Sequence, residues 1–593
     1  MKTRAEIEER YKWDLTKFCK NNEDFYSRLE KLKQELPEFK KYEGKLKTSD
    51  KLLFECLEKE NEFFKELGFL YVYASLYKKG DNACEEANEM YEKINLFCTQ
   101  VNIQTVFIGL EIAKFPSSKL KELQNDKLFK NYARMFERIL RRKKHFLSKK
   151  EEMVLTKISE FTDGYSENFD KFADVDLEFG EIEDGNGKKH TLNQSNYSLY
   201  VESKDRKLRE NAFRRMNGRY GDFINTLANN YLYDIKVTAV TSKLRKYKSS
   251  LSRSIYKEEA SEKTYKLLIK KVRENVKIVE DFFEIKRKML KLDKIAIYDT
   301  FAPIVNELDY KFTYDEAIEL IKKALTVLGD DYVKLIDRAK NERWIDVMPN
   351  KNKDSGAFSW GTYGATPVVL TNFEGNLESV FTLAHELGHA MHTYYSDSNQ
   401  PIQTAGYTIF VAEVASTTNE MLLLNYLLKN AKTDKEKIYY YNHFLVQVRS
   451  TIFRQTMFSE FEDFAYSTYE AGTPLTRQLM CSKYYDLNKF YYGKDVELID
   501  EIQYEWARIP HFYSPFYVYK YATGLICAIN ISTKLLSDNK NMLPKYKKFL
   551  SSGSIKSPIA LLKECDCDLE QDKIYDDVFK VCQDYIVKWK ELI

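Results

Sequence analysis

The scarcity of proline constrains the fold of this chain more than any other feature of its sequence. Only 11 prolines and 21 glycines occur in 593 residues, and no proline lies between Pro116 and Pro303. Because proline ends or kinks a helix, this stretch leaves room for several uninterrupted helices. Two segments also carry apolar residues three and four positions apart, as on the buried face of a helix: Phe25, Leu29, Leu32 and Leu36, and Val272, Val276, Val279 and Phe283. The sequence therefore predicts a mostly α-helical fold.

Two regions depart from the helical pattern. Asp184-Gly-Asn-Gly187 stands between two stretches compatible with strands, which predicts a hairpin near residues 177–201. Between Lys353 and Gly406 there are six glycines and an extended segment, Thr366–Asn372, which predict turns and a short strand ahead of a new helix. On local sequence alone, an ordinary buried strand in a small sheet is favoured. The alternative is a strand whose edge pairs with an extended peptide.

Charge and composition exclude several classes of protein. The chain has 93 basic and 90 acidic residues and a net charge of +3, so it lacks the positive excess that nucleic acids and anionic membranes attract. The charged N-terminus does not resemble a secretory signal, and no continuous apolar run approaches the roughly 18 residues of a membrane span. Nine scattered cysteines favour free thiols over a disulfide framework. We expect a cytoplasmic protein that binds neither nucleic acid nor membrane.

A cluster of histidines is the strongest chemical signal. The chain has only seven histidines, and His385, His389 and His392 fall within eight consecutive residues. Positions i and i+4 of a helix lie on one face, so His385 and His389 can bind one ion while Glu386 projects beside them. Two imidazoles leave positions for a carboxylate and a water, whose proton Glu386 could accept. A helix curls too tightly for three such side chains to meet one tetrahedral ion, so we expect His392 in a supporting or packing position.

The third ligand is expected from another helix. The segment from Phe410 to Leu424 is rich in apolar and small residues, and it carries Glu413 and Glu420 two turns apart on one face. Burying a carboxylate is costly unless it is paired or bound to a metal. On spacing alone, either glutamate could be the ligand. The alternative is a partly exposed helix whose two glutamates are solvated.

An aromatic segment near the C-terminus, Pro510–Tyr521, contains His511 and several tyrosines. Hydrolysis of a carbonyl passes through a negatively charged tetrahedral intermediate, which rigidly held phenol and imidazole groups can stabilise. Tyrosine and phenylalanine are abundant in this chain, at 43 and 37 residues, so the inference depends on their combination with one of the few histidines.

These motifs together resemble the thimet oligopeptidase-like metallopeptidases, most closely their oligoendopeptidase F branch. The central similarity is His385-Glu-Leu-Gly-His-Ala-Met-His392 followed by Phe410-Val-Ala-Glu-Val-Ala-Ser-Thr-Thr-Asn-Glu420. The similarity extends over nearly the whole chain and includes three further segments: Arg10–Leu15, Gly356–Trp360 and His511–Tyr519.

The resemblance implies a zinc-dependent endopeptidase that hydrolyses short, unstructured oligopeptides, with one Zn²⁺ per chain. It implies two helical halves around a deep channel, with a small β-sheet beside the zinc-binding helix. We expect an N-terminal helical region over residues 1–200 and a catalytic domain over 201–593.

The resemblance also assigns roles to individual residues. His385, His389 and Glu413 would bind the metal, Glu420 and His392 would support them, Glu386 would be the general base, and Tyr519 and His511 would stabilise the oxyanion. Ala365–Phe373 would be the edge strand that pairs with the substrate backbone. The substrate-binding residues would be Gly356, Ala357, Val368, Val369, Tyr513 and Tyr517.

Two alternatives remain open. A zinc carboxypeptidase on a similar helical frame would share the histidine motif, but it would need a basic residue to hold the terminal carboxylate of its substrate. A non-catalytic peptide-binding protein would have no use for a general base such as Glu386.

Overall fold

The computed structural model describes residues 1–162, 164–305, 308 and 310–593. Most of these residues are helical and the described strands are only two or three residues long, so the prediction of a mostly α fold is confirmed. The chain divides into two compact units, each built from three segments. The predicted boundary at residue 200 falls inside the second unit and stays a prediction, as does the deep channel.

The first unit comprises residues 1–144, 309–427 and 531–566. Its core is formed by the long helices of the N-terminal segment, which are packed side by side. The N-terminus of Asp50–Gly80 is capped by Ser49, whose side chain accepts a hydrogen bond from the Leu52 amide. The helices that lie wholly or mostly in this unit are Asn22–Glu35, Asp50–Gly80, Glu85–Ala113, Ser117–Asn125, Ala133–Arg142, Tyr314–Ala324, Asp330–Asn341, Leu377–Asn399, Ile402–Ala405, Ile409–Asn430, Asn539–Leu550 and Pro558–Glu564.

A three-stranded sheet lies in the first unit. Val368–Leu370 is its middle strand, parallel to Ile345–Asp346 on one side and antiparallel to Phe358–Trp360 on the other. Val368 and Leu370 join the buried cluster of the N-terminal helices, while Leu377–Asn399 contacts the Phe358–Trp360 and Val368–Leu370 strands. The predicted sheet beside the histidine-bearing helix is therefore confirmed.

The prediction that Ala365–Phe373 supplies an edge strand is wrong. Its strand, Val368–Leu370, has hydrogen-bonded neighbours on both sides, and Val368 and Val369 are fully buried. The backbone of these two valines has no free edge to offer a substrate, so they are not substrate-binding residues of the kind predicted. The buried strand favoured by local sequence is what the structure contains, and Phe358–Trp360, within the stretch from Lys353 to Gly406, is an edge strand of the sheet.

Leu377–Asn399, which we call the histidine helix, packs closely against Ile409–Asn430, the glutamate helix. The side chain of Asn376 caps the histidine helix by accepting a hydrogen bond from the Ser379 amide. At the crossing, a Cβ added to Gly388 would lie 2.5 Å from the Cα of Ser416, so only glycine permits this approach. Asn419, fully buried, donates from Nδ2 to the Ala384 carbonyl at 3.1 Å and fixes the crossing.

The second unit comprises residues 145–308, 428–530 and 567–593. A hairpin pairs Glu181–Glu183 with Lys189–Thr191 in antiparallel register, and Ile295–Ala296 pairs in parallel with Val496–Glu497. The helices that lie wholly or mostly in this unit are Lys149–Thr162, Gly164–Lys171, Tyr197–Val201, Arg206–Asp222, Ile224–Leu244, Ser250–Lys257, Glu262–Glu274, Lys277–Met289, Asp434–Gln447, Arg454–Glu470, Arg477–Tyr492, Tyr519–Ser537 and Asp572–Lys590.

One helix of the described residues, Glu85–Ala113, is long and apolar enough to cross a membrane by length and composition. Of its most apolar window, 33% is buried, and a single helix of this kind is weak evidence for a membrane span. Polar residues such as Asn102 and Gln104 interrupt it, which is why a search for continuous apolar runs does not find it.

Candidate metal centre and active site

Three side chains of the first unit each bring one nitrogen or oxygen atom to a common point. His385 and His389 project from the histidine helix, and Glu413 projects from the glutamate helix. The two Nε2 atoms are 3.2 Å apart, and Glu413 Oε2 lies 3.4 Å from that of His385 and 3.7 Å from that of His389. Ligand atoms about 2.1 Å from a tetrahedral ion are about 3.4 Å from each other. The residues present therefore fit a metal ion.

Glu420 lies behind the first histidine rather than in this triangle. Its Oε1 is 2.5 Å from Nδ1 of His385, so Nδ1–H can donate to the carboxylate while Nε2 keeps its lone pair for a metal. Burial lowers the pKa of His385, but the hydrogen bond and charge of Glu420 outweigh burial and raise the pKa to about 9. The spacing of the two glutamates left the choice of ligand open, and the geometry favours Glu413.

Glu386 is buried next to the triangle, with 6% of its surface exposed. Its Oε2 has no hydrogen-bond partner among the residues that the structure describes. Burial raises the pKa of Glu386 to about 7, against the opposing effect of His385 and with a further rise from Glu413 and Glu420. A carboxyl group that titrates near neutral pH can both accept and release a proton, as general acid–base catalysis requires.

His392 packs against aromatic rings. It stacks on Tyr407 with ring centroids 3.8 Å apart and an angle of 9° between the planes, and Phe549 lies against it at 5.3 Å. Burial lowers its pKa to about 3, so the ring is neutral. The sequence predicts either a supporting or a packing position for His392, and these contacts agree with a packing position. Tyr407, whose hydroxyl is 2.7 Å from that of Thr393, was not found by sequence reasoning.

The aromatic segment 510–521 belongs to the second unit, whereas the histidine and glutamate helices supply the site of the first. His511 is exposed, and its ring is nearly parallel to that of Tyr517 at 6.2 Å. Tyr521 meets both rings edge-on, at 6.0 and 5.4 Å from their centroids. These three side chains form one aromatic cluster at the start of Tyr519–Ser537.

Two other tyrosines of the segment are held firmly inside the second unit. The Tyr513 hydroxyl accepts a hydrogen bond from Asn230 Nδ2 at 2.9 Å, and its ring lies 4.9 Å from that of Phe169. Tyr519 is 1% exposed and meets Tyr265 edge-on at 5.3 Å. Sequence reasoning missed Asn230 and Tyr265, because nothing in the local pattern links them to residues more than 250 positions away.

Comparisons with known proteins agree with this picture. The model of peptidase family M3 matches residues 199–581, and that of oligopeptidase F matches residues 111–179. The chain is 35% identical to oligopeptidase PepF of Bacillus subtilis over 100% of this chain and 88% of that protein. It is also 35% identical to an oligoendopeptidase F homolog of Borreliella burgdorferi, with 98% of each chain covered.

Solved structures extend the likeness to three dimensions. A crystal structure from Chlamydophila abortus has a TM-score of 0.95 at 32% identity and covers 100% of both chains. Oligoendopeptidase-F from Enterococcus faecium has a TM-score of 0.74 at 28% identity, covering 96% of this chain and 99% of that one. The helical fold and these matches together define a peptidase. The chain belongs to peptidase family M3, in its oligoendopeptidase F group, as the sequence motifs predict.

Proposed function

We propose that this peptidase is a zinc-dependent endopeptidase that hydrolyses short, unstructured oligopeptides. The observation that carries the proposal is the triangle of His385 Nε2, His389 Nε2 and Glu413 Oε2, with the buried carboxyl group of Glu386 beside it. Two imidazoles and one carboxylate are a ligand set typical of catalytic zinc. The same atoms also bind Co²⁺ or Mn²⁺, so the identity of the metal is part of the test.

The residues of the chain have distinct tasks in the proposed reaction. A zinc ion held by this triangle would supply Lewis acidity, which polarises a carbonyl group and makes a water molecule acidic near neutral pH. Glu386 takes the proton of the attacking water and passes it to the leaving amine, for which its raised pKa suits it. Glu420 orients His385 through Nδ1, so that Nε2 faces the other two ligands.

We infer from the family resemblance that Tyr519 and His511 stabilise the negative charge that develops on the carbonyl oxygen. Such a donor typically contributes about 3 kcal/mol to the transition state. The edge-on packing of Tyr519 on Tyr265 supports a rigid phenol. Tyr517, stacked on His511, stays a proposed substrate contact, whereas the Asn230 bond of Tyr513 favours an anchoring task for that residue.

We infer that the substrate backbone pairs with Phe358–Trp360 instead of Val368 and Val369. This strand is an edge of the sheet, it contacts the histidine helix, and it follows Gly356 and Ala357 directly. Backbone pairing requires an extended chain and depends little on the identity of its side chains. This mode of binding suits a peptidase that cleaves oligopeptides of varied sequence. We also infer a cytoplasmic location, which is supported by nine scattered cysteines whose spacing does not resemble a disulfide framework.

A chelator and a doubly blocked peptide test the function directly. We expect the protein to cleave an internally quenched peptide whose two termini are blocked. Activity should be lost when the metal is removed, and about one equivalent of Zn²⁺ per chain should restore it. Removal of single residues from the free C-terminus of an unblocked peptide, without internal cleavage, would favour the carboxypeptidase alternative. Binding without cleavage in the zinc-loaded protein would favour a non-catalytic peptide-binding protein.

A further inference from the structure

A fully buried carboxyl group of the second unit holds the segment that carries His511 and Tyr519. Glu462 lies on the helix Arg454–Glu470, which contacts the helices Ile224–Leu244, Ser250–Lys257 and Glu262–Glu274, and none of its surface is exposed. Its Oε1 accepts a hydrogen bond from the backbone amide of Phe516 at 2.8 Å. In the sequence, Phe516 lies between His511 and Tyr519, the two residues proposed to stabilise the oxyanion.

The backbone of Phe516 is strained. Its φ is +55°, in the left-handed region that residues with a side chain rarely adopt. Such a conformation persists only where surrounding contacts enforce it. Without the acceptor on Glu462, the amide of this residue would be buried without a partner, and the backbone would be free to relax.

Three further contacts hold the backbone at Pro515 and Phe516, which we call the Phe516 turn. The hydroxyl of Ser254 donates to the carbonyl of Pro515 at 3.0 Å, and the Phe516 ring lies 4.9 Å from that of Tyr466 and 5.9 Å from that of Tyr265. Tyr466 lies on the same helix as Glu462. Tyr265 in turn packs edge-on against Tyr519, so the turn and the proposed oxyanion donor share a neighbour.

The state of the Glu462 carboxyl group fits this task. Burial raises its pKa well above the ordinary value, because the opposing effect of the Phe516 amide is smaller and two aspartates, Asp234 and Asp463, add to the rise. Burial therefore favours the neutral acid over the carboxylate at this position. Its Oε2 has no hydrogen-bond partner among the described residues, so the bond to Phe516 is the contact by which Glu462 affects this segment.

We propose that Glu462 is a positioning residue: its bond to the Phe516 amide fixes the left-handed turn and thereby sets where His511 and Tyr519 stand for catalysis. The proposal rests on the proposed function, because it needs these two residues to act on the substrate. The loss of one such bond displaces a group by a fraction of an ångström to an ångström, which can lower kcat by up to about 100-fold.

Variants at Glu462 test this proposal through kcat and KM. Glu462→Leu removes the acceptor and should lower kcat about 10- to 100-fold while KM changes less than about threefold. Glu462→Gln keeps a neutral acceptor of the same shape and should restore nearly normal kcat. Glu462→Met fills a similar volume without an acceptor and gives the same comparison if the leucine variant does not fold. Glu470→Leu is the matched control, because Glu470 ends the same helix and binds the amide of Ser250 instead.

A combined variant separates a positioning role from a general structural one. If Glu462 acts through His511 and Tyr519, then adding Glu462→Leu to a variant that carries both His511→Ala and Tyr519→Phe should lower kcat little further. Fully additive losses, or normal kcat in folded Glu462→Leu, would overturn the positioning role. Normal kcat in Tyr519→Phe would remove the oxyanion role, and an inactive zinc-loaded parent would remove the proposed function itself. Each failure therefore has its own signature.

Discussion

Two carboxyl groups of the first unit, those of Asp346 and Glu386, are almost equally buried, at 0% and 6% exposed. Asp346 stands between two cations, because Arg4 donates to both of its oxygens and Lys353 Nζ lies 2.8 Å from Oδ1. Burial opposes ionisation of Asp346, yet these cations hold its pKa below the usual value. At Glu386 burial outweighs the opposing charge of His385, and the pKa is raised to about 7.

The difference teaches that burial alone does not decide whether a carboxyl group is charged. The charge of Asp346 stabilises the structure. Lys353, its partner, also donates to the carbonyls of Met348 and Thr371, so this buried cluster of Arg4, Asp346 and Lys353 connects the ends of the two parallel strands. At Glu386, where Oε2 has no hydrogen-bond partner among the described residues, burial outweighs the charge of His385 and the proton can move near neutral pH. Arg4 and Lys353 keep Asp346 ionised, whereas Glu386 can change its protonation state and is available for catalysis.

The largest expected effect is on the chemistry of Glu386. Glu386→Gln keeps the shape of the side chain but cannot accept a proton, so kcat for a quenched peptide should fall about 10²- to 10⁴-fold. Zinc content, measured by metal analysis of the purified protein, should stay at one per chain. The exposed Glu378 on the same helix supplies a control, Glu378→Gln, which should keep normal kcat. Near-normal turnover in Glu386→Gln would rule out its role as the base.

Removing a cation from Asp346 should affect stability instead of chemistry. Lys353→Met leaves a buried carboxylate with Arg4 as its remaining cation, so the free energy of unfolding should fall by about 2–4 kcal/mol. Urea denaturation measures this change. Lys351→Met, at an exposed lysine of the same turn, should change it by less than about 0.5 kcal/mol. Equal stability of the two variants would contradict the proposed importance of the buried cluster.

Glu420 is intermediate between Asp346, which is paired with cations, and Glu386, which is proposed to act in catalysis. Its partner is His385, which would itself bind the metal. Glu420→Gln should weaken zinc binding about 10- to 100-fold, as for other partners of metal-ligating histidines. Glu413→Gln should weaken it more, because that change replaces a proposed ligand. Competition with a fluorescent chelator measures both affinities. The reverse order would make Glu420 the ligand, which is the alternative that spacing alone left open.

The smallest effect is a difference in pH dependence between the two carboxyl groups in metal-free protein. Because the folded pKa of Glu386 is raised to about 7, its ionisation costs stability increasingly as the pH rises from about 5 to 7. Glu386→Gln should therefore gain about 1–2 kcal/mol over the parent at pH 8 and little at pH 5. Thermal unfolding in the presence of a chelator measures this gain.

Asp346 should show the opposite sign. Its folded pKa is depressed, so its contribution is complete at neutral pH and is lost as the pH falls through that pKa. Asp346→Asn should therefore be most destabilising near pH 7 and less so near pH 3. Parallel pH profiles for Glu386→Gln and Asp346→Asn would contradict the comparison between the two groups.

Much of the fold and part of the site could be predicted from local sequence. Scarce proline and the spacing of apolar residues predicted the helices, because helix geometry depends on neighbours three and four positions away. The same geometry placed His385 and His389 on one face with Glu386 beside them. The structure adds that Gly388 lies against the backbone at Ser416, where a side chain would not fit.

The sheet and the aromatic segment could not be predicted in this way. The neighbour of Val368–Leu370 on one side is the two-residue strand Ile345–Asp346, which is too short to leave a pattern in the sequence. The family resemblance predicted Val368–Leu370 as an edge strand, and its pairing with Ile345–Asp346 contradicts that prediction. Glu462 and Phe516, 54 positions apart, likewise have no sequence signal that connects them.

By itself, the sequence determined the helical character of the protein, the family to which it belongs and the paired histidines with their adjacent glutamate. These features depend on spacing within one or two helical turns, which the backbone geometry fixes. Only the tertiary structure decided that Glu413 joins the triangle while Glu420 supports His385, that Asp346 is charged, and that burial raises the pKa of Glu462 and of Glu386. Such outcomes depend on which distant groups share a buried space, since partners and desolvation set both geometry and charge.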